Sequence, residues 1–288
     1  MELGYTTMNT PEDPPPAELA RVLEDRGYGS LWIGEHSHIP VSRRTPYPAG
    51  GDMPAQYTRM MDPFISLALA AAATERLLLA TGVALPLEHD LFALAKTVAT
   101  LDHASGGRVV FGVGVGWNEE ELADHRPIPW AARYRALAEC VAALRALWCD
   151  DEAEFHGEFF DFDPVWIFPK PLQRPHPPIV IGGLGERRTL RTVARWADHW
   201  NYPSGGVEVF EKKRQVLVDH CEQLRRDPGE IITSTHLRID PADVGAVADQ
   251  AAAFADAGLD LGIVSLQPPH TPAVLGPLAE ALAPLAGS

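Results

Sequence analysis

Short apolar runs alternate along most of the chain with longer stretches in which apolar residues recur at helical spacing. The runs predict eight strands, at residues 3–8, 30–33, 77–85, 108–113, 179–181, 199–202, 231–237 and 261–266. The stretches between them predict eight helices, at residues 14–26, 63–74, 89–104, 130–149, 186–196, 207–226 and 241–257 and from 271 onward. Asp62-Pro63, Asp240-Pro241 and Thr271-Pro272 each combine a capping side chain with a proline, which is typical of a helix start.

This alternation predicts an α/β fold in which parallel strands are joined by helical crossovers. Eight such units in one chain favour a closed (β/α)8 TIM barrel over an open doubly wound sheet. Residues 37–61, which are rich in Pro, Gly, Arg and Tyr, and a small hairpin within 155–162 stand outside the alternation. We therefore expect a single domain over residues 1–288, with insertion segments at the carboxyl-terminal mouth of the barrel.

Composition and charge exclude several classes of protein. A hydrophobic content of 46% and a charged content of 22% are those of a globular chain, not of a disordered one. The net charge of −15 argues against a nucleic-acid-coating surface and a polybasic membrane anchor. The apolar stretch 64–85 is interrupted by Thr74-Glu75-Arg76, so it predicts a helix, a turn and a strand, not a membrane span. The three cysteines form no CxxC pair, which fits a reducing cytoplasm.

Glycine clusters follow two of the predicted strands, at the end of the barrel where active sites lie. Gly112, Gly114 and Gly116 alternate after the fourth strand, and Gly182-Gly183-Leu184-Gly185 follows the fifth. Missing side chains let a flat or phosphorylated ligand approach the backbone, although close packing or a plain turn would also require glycine. Since a helix is predicted to start near residue 186, the second cluster also predicts an anion site at a helix amino terminus.

Glu35 and His36 follow the second predicted strand and are candidates for acid–base chemistry, because histidine titrates near neutral pH. A structural ion pair is the alternative. His38 extends the pair towards a metal-ligand pattern, but the next strand ends carry glycines instead of further ligands, so no metal site is expected. Other polar residues predicted at strand ends are Asn201, Tyr202, Gln267 and His270.

At these residues the sequence resembles the luciferase-like monooxygenase superfamily, and more closely its branch of oxidoreductases that depend on the deazaflavin coenzyme F420. The matching segments, from the second strand to the sixth, are SLWIGEH (30–36), LATGV (79–83), AK (95–96) leading to TLD (100–102), SGGR (105–108), GVGVGWNEEE (112–121), PPIVIGG (177–183) and RWADHW (195–200).

The resemblance implies a (β/α)8 barrel with a flat tricyclic cofactor across the carboxyl ends of the strands. It implies a non-prolyl cis peptide at Gly82-Val83 behind the ring, and it places Glu35 and His36 at the reactive edge. The cofactor-binding residues that it implies are Thr81, Gly82, Val83, Gly114, Val115, Gly116 and Asn118 along the ring and tail, and Gly182, Gly183 and Leu184 at the phosphate. Val115 departs from the sugar-phosphate dehydrogenase branch, which has an acidic residue there, so that substrate is not expected.

We therefore predict an oxidoreductase that transfers a hydride between coenzyme F420 and a small organic substrate. His36, polarised by Glu35, would donate or accept the proton, although Tyr47 or Tyr57 of the covering segment 37–61 could do the same work. The alternatives are an FMN-dependent monooxygenase of the same superfamily and a non-catalytic flavin-binding barrel. The sequence leaves a homodimer open.

Overall fold

The strands of the protein form a barrel and a separate hairpin. The computed structural model describes residues 1–239, 244–266 and 275–282. The barrel strands are β1 (Glu2–Thr7), β2 (Ser30–Ile33), β3 (Leu78–Thr81), β4 (Val109–Val113), β7 (Ile179–Gly182), β8 (His199–Tyr202), β9 (Ile232–Ile239) and β10 (Leu261–Leu266), and the hairpin strands are β5 (Ala153–His156) and β6 (Asp161–Val165). The barrel closes in the order β1-β10-β9-β8-β7-β4-β3-β2, with every neighbouring pair parallel. The predicted TIM barrel is thereby confirmed.

Helices connect the strands and cover the outside of the barrel. They are α1 (Pro16–Asp25), α2 (Pro63–Ala71), α3 (Leu91–Ser105), α4 (Glu119–His125), α5 (Arg133–Cys149), α6 (Thr189–Trp196), α7 (Val207–Leu224), α8 (Val244–Asp256) and α9 (Leu275–Leu282). Asp62 caps α2 as predicted, because its carboxylate accepts a hydrogen bond from the backbone N–H of Ile65. Within the described ranges, no helix combines the length and the apolar character that crossing a bilayer requires.

The structure corrects three predicted elements. The third strand ends at Thr81 instead of continuing to residue 85, because the chain turns there into a cis peptide and a short 3-10 turn, Pro86–Glu88. The helix after β7 begins at Thr189, three residues later than predicted. The short helix α4 was not predicted. The positions Asp240, Pro241, Gln267, His270, Thr271 and Pro272 lie outside the described residues.

Two layers of apolar side chains hold the barrel together. Residues that point outward from the strands pack under the helices, and Leu31, Ile33 and Phe111 are examples. Their neighbours in sequence point inward, since side chains alternate along a strand, and form a small separate cluster. That cluster consists of Trp32, Ala80, Val110, Val180, Leu261 and Ile263. The barrel interior is therefore filled, and space for a ligand remains at its carboxyl-terminal mouth.

Candidate active site

A cavity of about 520 Å³ lies at the carboxyl-terminal mouth, and each of the eight barrel strands or the loop after it contributes to its wall. The predicted site residues that line it are Glu35, His36, Gly82, Val83, Gly114, Val115, Gly116, Gly182 and Gly183. Thr81 lies below it and donates a hydrogen bond from Oγ1 to the carbonyl of Gly112, at 2.7 Å. The fold thus brings most of the predicted residues together around one space.

The loop after β3 forms one wall of the cavity. The peptide between Gly82 and Val83 is cis, which confirms the prediction made from the resemblance. The backbone N–H of Gly82 donates to the carbonyl of Ile33 in β2, and that of Ala84 donates to the carbonyl of Gly112 in β4. Both neighbouring strands therefore hold the loop that presents Val83 to the cavity.

Two glycines of the first cluster are required by the packing of this loop. A Cβ on Gly112 would lie 2.1 Å from the carbonyl oxygen of Thr81, and one on Gly114 would lie 2.7 Å from Cγ2 of Val83. Both glycines are thus required by the close approach of β4 to the loop after β3. The interpretation as close packing holds for these two positions, and the cofactor contacts predicted for Gly114 remain a prediction.

A second recess, of about 100 Å³, opens beside the cavity at the start of α6 and includes Leu184 and Gly185. The backbone N–H of Gly183 donates to the carbonyl of Asn201 in β8, so it belongs to the barrel and is not free to bind phosphate. In the part of the chain that the structure describes, the N–H groups of residues 184–188 donate no hydrogen bond. The free amides therefore begin at Leu184, two residues after Gly182, the first residue of the predicted anion site, and they precede the same helix.

His36 is held between a carboxylate and an indole. Its Nδ1 lies 2.7 Å from Oε2 of Glu121, and its Nε2 lies 3.0 Å from Nε1 of Trp117. Because an indole nitrogen can only donate, Nε2 accepts this hydrogen bond and the proton sits on Nδ1, which donates to Glu121. His36 is therefore neutral in this arrangement, and its buried carboxylate partner is positioned to stabilise a positive charge on the ring.

Glu35 does not polarise His36, so that part of the prediction is wrong. Its carboxylate accepts hydrogen bonds from the backbone N–H of Leu85 and from Nε2 of His89, at 2.7 and 2.8 Å. Although burial opposes a charge on the imidazole, the hydrogen bond and the negative charge of Glu35 raise the pKa of His89. Glu35 thus anchors the loop after β3 and forms its ion pair there.

Three buried carboxyl groups, which we call the carboxylate cluster, lie behind His36. They are Glu35, Glu88 and Glu121, whose side chains are 6%, 3% and 1% exposed. Burial, and then the charges of Glu121 and Glu35, raise the pKa of Glu88 to about 9, so this carboxyl group is protonated at neutral pH. Nε2 of His125, near the protein surface, lies 3.7 Å from Glu88. The cluster therefore combines charged and protonated carboxyl groups beside a titratable histidine.

Aromatic residues cover the other side of His36. The rings of Tyr57 and Trp117 lie 5.2 and 5.5 Å from the imidazole, and Tyr47 lies 5.5 Å from Tyr57. Tyr57 and Met60 bring segment 37–61 to the cavity wall. Burial raises the pKa of Tyr57, so its hydroxyl group stays protonated. The segment thus supplies the aromatic cover expected of it.

Several site residues were missed by the sequence interpretation. Glu121 and Trp117 belong to the GWNEEE run (116–121). The signal that could have identified Glu121 is its position next to the apolar Leu122 at the start of a helix. His236 also lines the cavity, and burial together with Arg238 lowers its pKa to about 4.

Asn118, a predicted cofactor-binding residue, is fully buried, and within the described residues its side-chain amide has no hydrogen-bond partner. The contact predicted between Asn118 and the cofactor stays a prediction.

A closed (β/α)8 barrel with a large cavity over its strand ends is the arrangement of TIM-barrel enzymes. The sequence profile of the luciferase-like monooxygenase family matches residues 7–255. An uncharacterized protein of Mycobacterium tuberculosis is 40% identical over 262 residues, which cover 90% of this chain and 89% of that protein. The chain belongs to the luciferase-like monooxygenase family, whose members are oxidoreductases and monooxygenases.

Similar proteins use two kinds of cofactor. The FMNH2-dependent dimethylsulfone monooxygenase of Pseudomonas putida is 40% identical over 157 residues, 53% of this chain and 41% of that protein. The F420-dependent glucose-6-phosphate dehydrogenase of Nakamurella multipartita is 30% identical over 229 residues, 77% of this chain and 62% of that protein. The structure of an F420-dependent secondary alcohol dehydrogenase superposes with a TM-score of 0.82 at 17% identity, covering 100% of this chain and 99% of that chain. Together they support a flavin or deazaflavin cofactor.

Proposed function

We propose that the protein is an oxidoreductase that transfers a hydride between coenzyme F420 and a small organic substrate. The observation that carries the proposal is the open cavity over the barrel mouth, with His36 on its wall and free amides at the start of α6 beside it. The 30% identity to an F420-dependent dehydrogenase over most of the chain supports the choice of coenzyme.

The residues present fit such a cofactor. The cavity has the volume of a typical cofactor site, and the loop after β3 offers the apolar side chain of Val83 as a surface against which a flat ring can rest. A phosphate group in the small recess would meet the amides from Leu184 onward, at the positive end of the α6 dipole. When bound, the deazaflavin ring supplies or accepts the hydride.

His36 and Glu121 would move the proton that accompanies the hydride. Substrate would take the place of the Trp117 indole at Nε2 of His36, and that nitrogen would then accept or donate the proton. Glu121, which holds Nδ1–H, would stabilise the imidazolium while the proton is on the ring. Tyr57 and Trp117 would exclude water from this edge of the cavity.

Parallel fluorescence-quenching titrations with coenzyme F420 and with FMN test the proposal. We expect F420 to bind with a dissociation constant of about 1 μM or lower, and FMN to bind more weakly. Equal affinities, or tighter binding of FMN, would overturn the choice of coenzyme.

The second candidate is an FMN-dependent monooxygenase. The 40% identity to an FMNH2-dependent enzyme favours it, although that match covers about half of this chain. Tighter FMN binding in the same titrations is its expected result. A storage protein is less favoured, because the cavity is open and is not filled by side chains.

A further inference from the structure

Trp117 occupies the one nitrogen of His36 that can accept a proton. Nδ1 of His36 carries a proton and donates a hydrogen bond to Glu121, so only Nε2 has a lone pair to offer. The indole N–H of Trp117 donates a hydrogen bond to this lone pair at 3.0 Å. The reactive atom of the site is therefore already engaged by the protein itself.

Both partners of this contact lie at the wall of the candidate cavity, where a ligand would meet them. The side chain of His36 is only 7% exposed, whereas Trp117 is half-buried. Most of the surface of His36 is thus covered by its neighbours, and Trp117 is the neighbour that is bonded to Nε2. A ligand that is to exchange a proton with Nε2 has to replace the indole there.

Side chains of segment 37–61 surround the indole. The guanidinium carbon of Arg43 lies 5.5 Å from the centre of the Trp117 ring, and the rings of Tyr47 and Tyr57 lie 5.7 and 5.9 Å from it. These are cation–π and edge-to-face contacts, which orient an aromatic ring although each of them is weak. The indole is therefore held in one position by contacts that a ligand can replace.

The backbone before Trp117 allows the side chain to move. Gly116 has a φ of +69°, in the left-handed region that favours glycine. A Cβ on Gly116 would lie no closer than 3.6 Å to its neighbours, so packing does not require glycine here, in contrast to Gly112 and Gly114. Because glycine restricts φ and ψ little, Trp117 can change its orientation at low cost.

We propose that Trp117 gates access to His36, an inference that rests on the acid–base role of His36 in the proposed function. The indole closes Nε2 until a substrate in the cavity displaces it. This exchange leaves no buried nitrogen unpaired when the reacting group of the substrate itself donates a hydrogen bond to Nε2. Trp117 thus acts on the substrate-binding step and leaves the proton transfer to His36.

Diethyl pyrocarbonate tests the gate, because it acylates an uncharged imidazole nitrogen whose lone pair is free. The variant Trp117→Phe keeps an aromatic ring beside Arg43 and Tyr57 but has no N–H group. We expect His36 to be modified about tenfold faster in this variant than in wild type, because one hydrogen bond to Nε2 is lost. Peptide mass spectrometry measures the rate at His36. Equal rates in the two proteins overturn the inference.

Trp166→Phe is the matched control. The indole N–H of Trp166 also donates a hydrogen bond, to Glu152 at 3.1 Å, but this residue is 76% exposed and does not line the cavity. The substitution should leave the modification rate of His36 at the wild-type value. The exposed His156 serves as an internal standard with one rate in all three proteins. Faster modification of His36 in Trp166→Phe would also overturn the inference.

Solvent exchange of the Trp117 indole proton tests the same contact without the Trp117→Phe variant. In wild type this proton should exchange slowly, because it is bonded to a nitrogen of a buried side chain. His36→Ala removes the acceptor, so exchange measured by NMR should become about tenfold faster. An unchanged exchange rate contradicts the gate.

These measurements do not depend on which cofactor binds, so the gate and the proposed function can fail separately. If F420 binds tightly while Trp117→Phe leaves the modification of His36 unchanged, the coenzyme assignment stands and the gate fails. If Trp117→Phe speeds the modification but FMN binds more tightly than F420, the gate stands and the proposed coenzyme fails.

Discussion

Two regions of the molecule carry opposite charges in opposite surroundings. The carboxylate cluster is buried, and its members act on one another and on His36, His89 and His125. A groove on the outer surface between α5 and α6, which we call the arginine groove, is exposed, and within the described residues its arginines Arg187, Arg188, Arg191 and Arg195 form no salt bridge. Buried charges interact strongly and shift each other's protonation, whereas exposed charges are screened and act mainly on ligands.

The two regions are therefore suited to different roles, proton transfer in the first and ligand binding in the second. The carboxylate cluster keeps a proton on Glu88 and holds His36 through Glu121, so it is suited to chemistry at the reacting edge. The arginine groove presents exposed guanidinium groups and is suited to holding an anion. Changes on the first side should alter rate and pH dependence, and changes around the second should alter affinity.

Removing His36 should give the largest effect. His36→Ala should reduce the single-turnover rate of hydride transfer by about a hundredfold or more, because proton transfer loses its acid or base. Cofactor affinity should stay within a few-fold. Stopped-flow absorbance measures the step directly, since product release can hide it in steady state.

His38→Ala is the matched control for this prediction, because His38 lies two residues away and bonds to exposed groups, Ser37 and Asp124. Its single-turnover rate should be near that of the wild type. A near-normal rate for His36→Ala would instead give His36 a packing role, and Tyr57 would be the next candidate.

Changing Gly183 should weaken cofactor binding on the opposite side of the mouth. Gly183 has a φ of +129°, and a Cβ there would lie 3.1 Å from Cγ2 of Thr189, so any side chain strains the loop. Gly183→Asp should weaken binding by more than about tenfold relative to Gly183→Ala, because only Asp adds a negative charge against the phosphate. Titration of both variants separates charge from strain. If the two bind alike, the phosphate lies elsewhere.

Glu121→Gln should change the pH dependence of the rate. Gln can still accept the hydrogen bond from Nδ1 of His36, but it does not stabilise the imidazolium by charge. Where neutral His36 is the active form, the acid limb of the pH–rate profile should move about one pH unit lower. Glu119→Gln, an exposed neighbour in the same helix, is the control and should leave the profile in place. An unshifted profile for Glu121→Gln would show that Glu121 does not act through His36.

Glu88→Gln should have the smallest effect on the rate, and its main effect should be on stability. Its pKa is raised to about 9 in the folded protein, so the folded state retains a proton that the unfolded chain releases. Wild-type stability therefore falls as the pH rises from the usual glutamate range towards 9, and Gln, which mimics the protonated form, lacks this loss. The melting temperature of the variant relative to wild type should rise between about pH 5 and pH 9. A difference that does not change with pH would contradict it.

Glu120, in α4, gives the contrasting control. The hydroxyl group of Thr45 and nearby backbone N–H groups lower the pKa of Glu120 to about 2. Its contribution to stability is therefore present above the usual glutamate range and is lost as the pH falls through that range towards 2. Glu120→Gln should be less stable than wild type at neutral pH, and the deficit should shrink under acid conditions.

The fold and the location of the site could be predicted because both depend on local patterns. Strand–helix alternation determines the barrel, and the barrel places every strand end at one mouth. Gly82, Val83 and the glycines at the end of β7 therefore lie near that mouth even where a predicted strand boundary is wrong by a few residues. The predicted start of α6 was three residues too early, because residues 186–188, Glu-Arg-Arg, are as compatible with a first helical turn as with the turn that precedes Thr189.

The sequence by itself determined the eight-unit barrel, the family and part of the set of residues around the cavity. Only the tertiary structure decided that Glu121, 85 residues away, holds His36, while the adjacent Glu35 turns to Leu85 and His89. The physical reason is the early end of β3, which lets the loops after β2 and β4 meet above it. Which side chains become partners there depends on the closure of the barrel and not on distance along the chain.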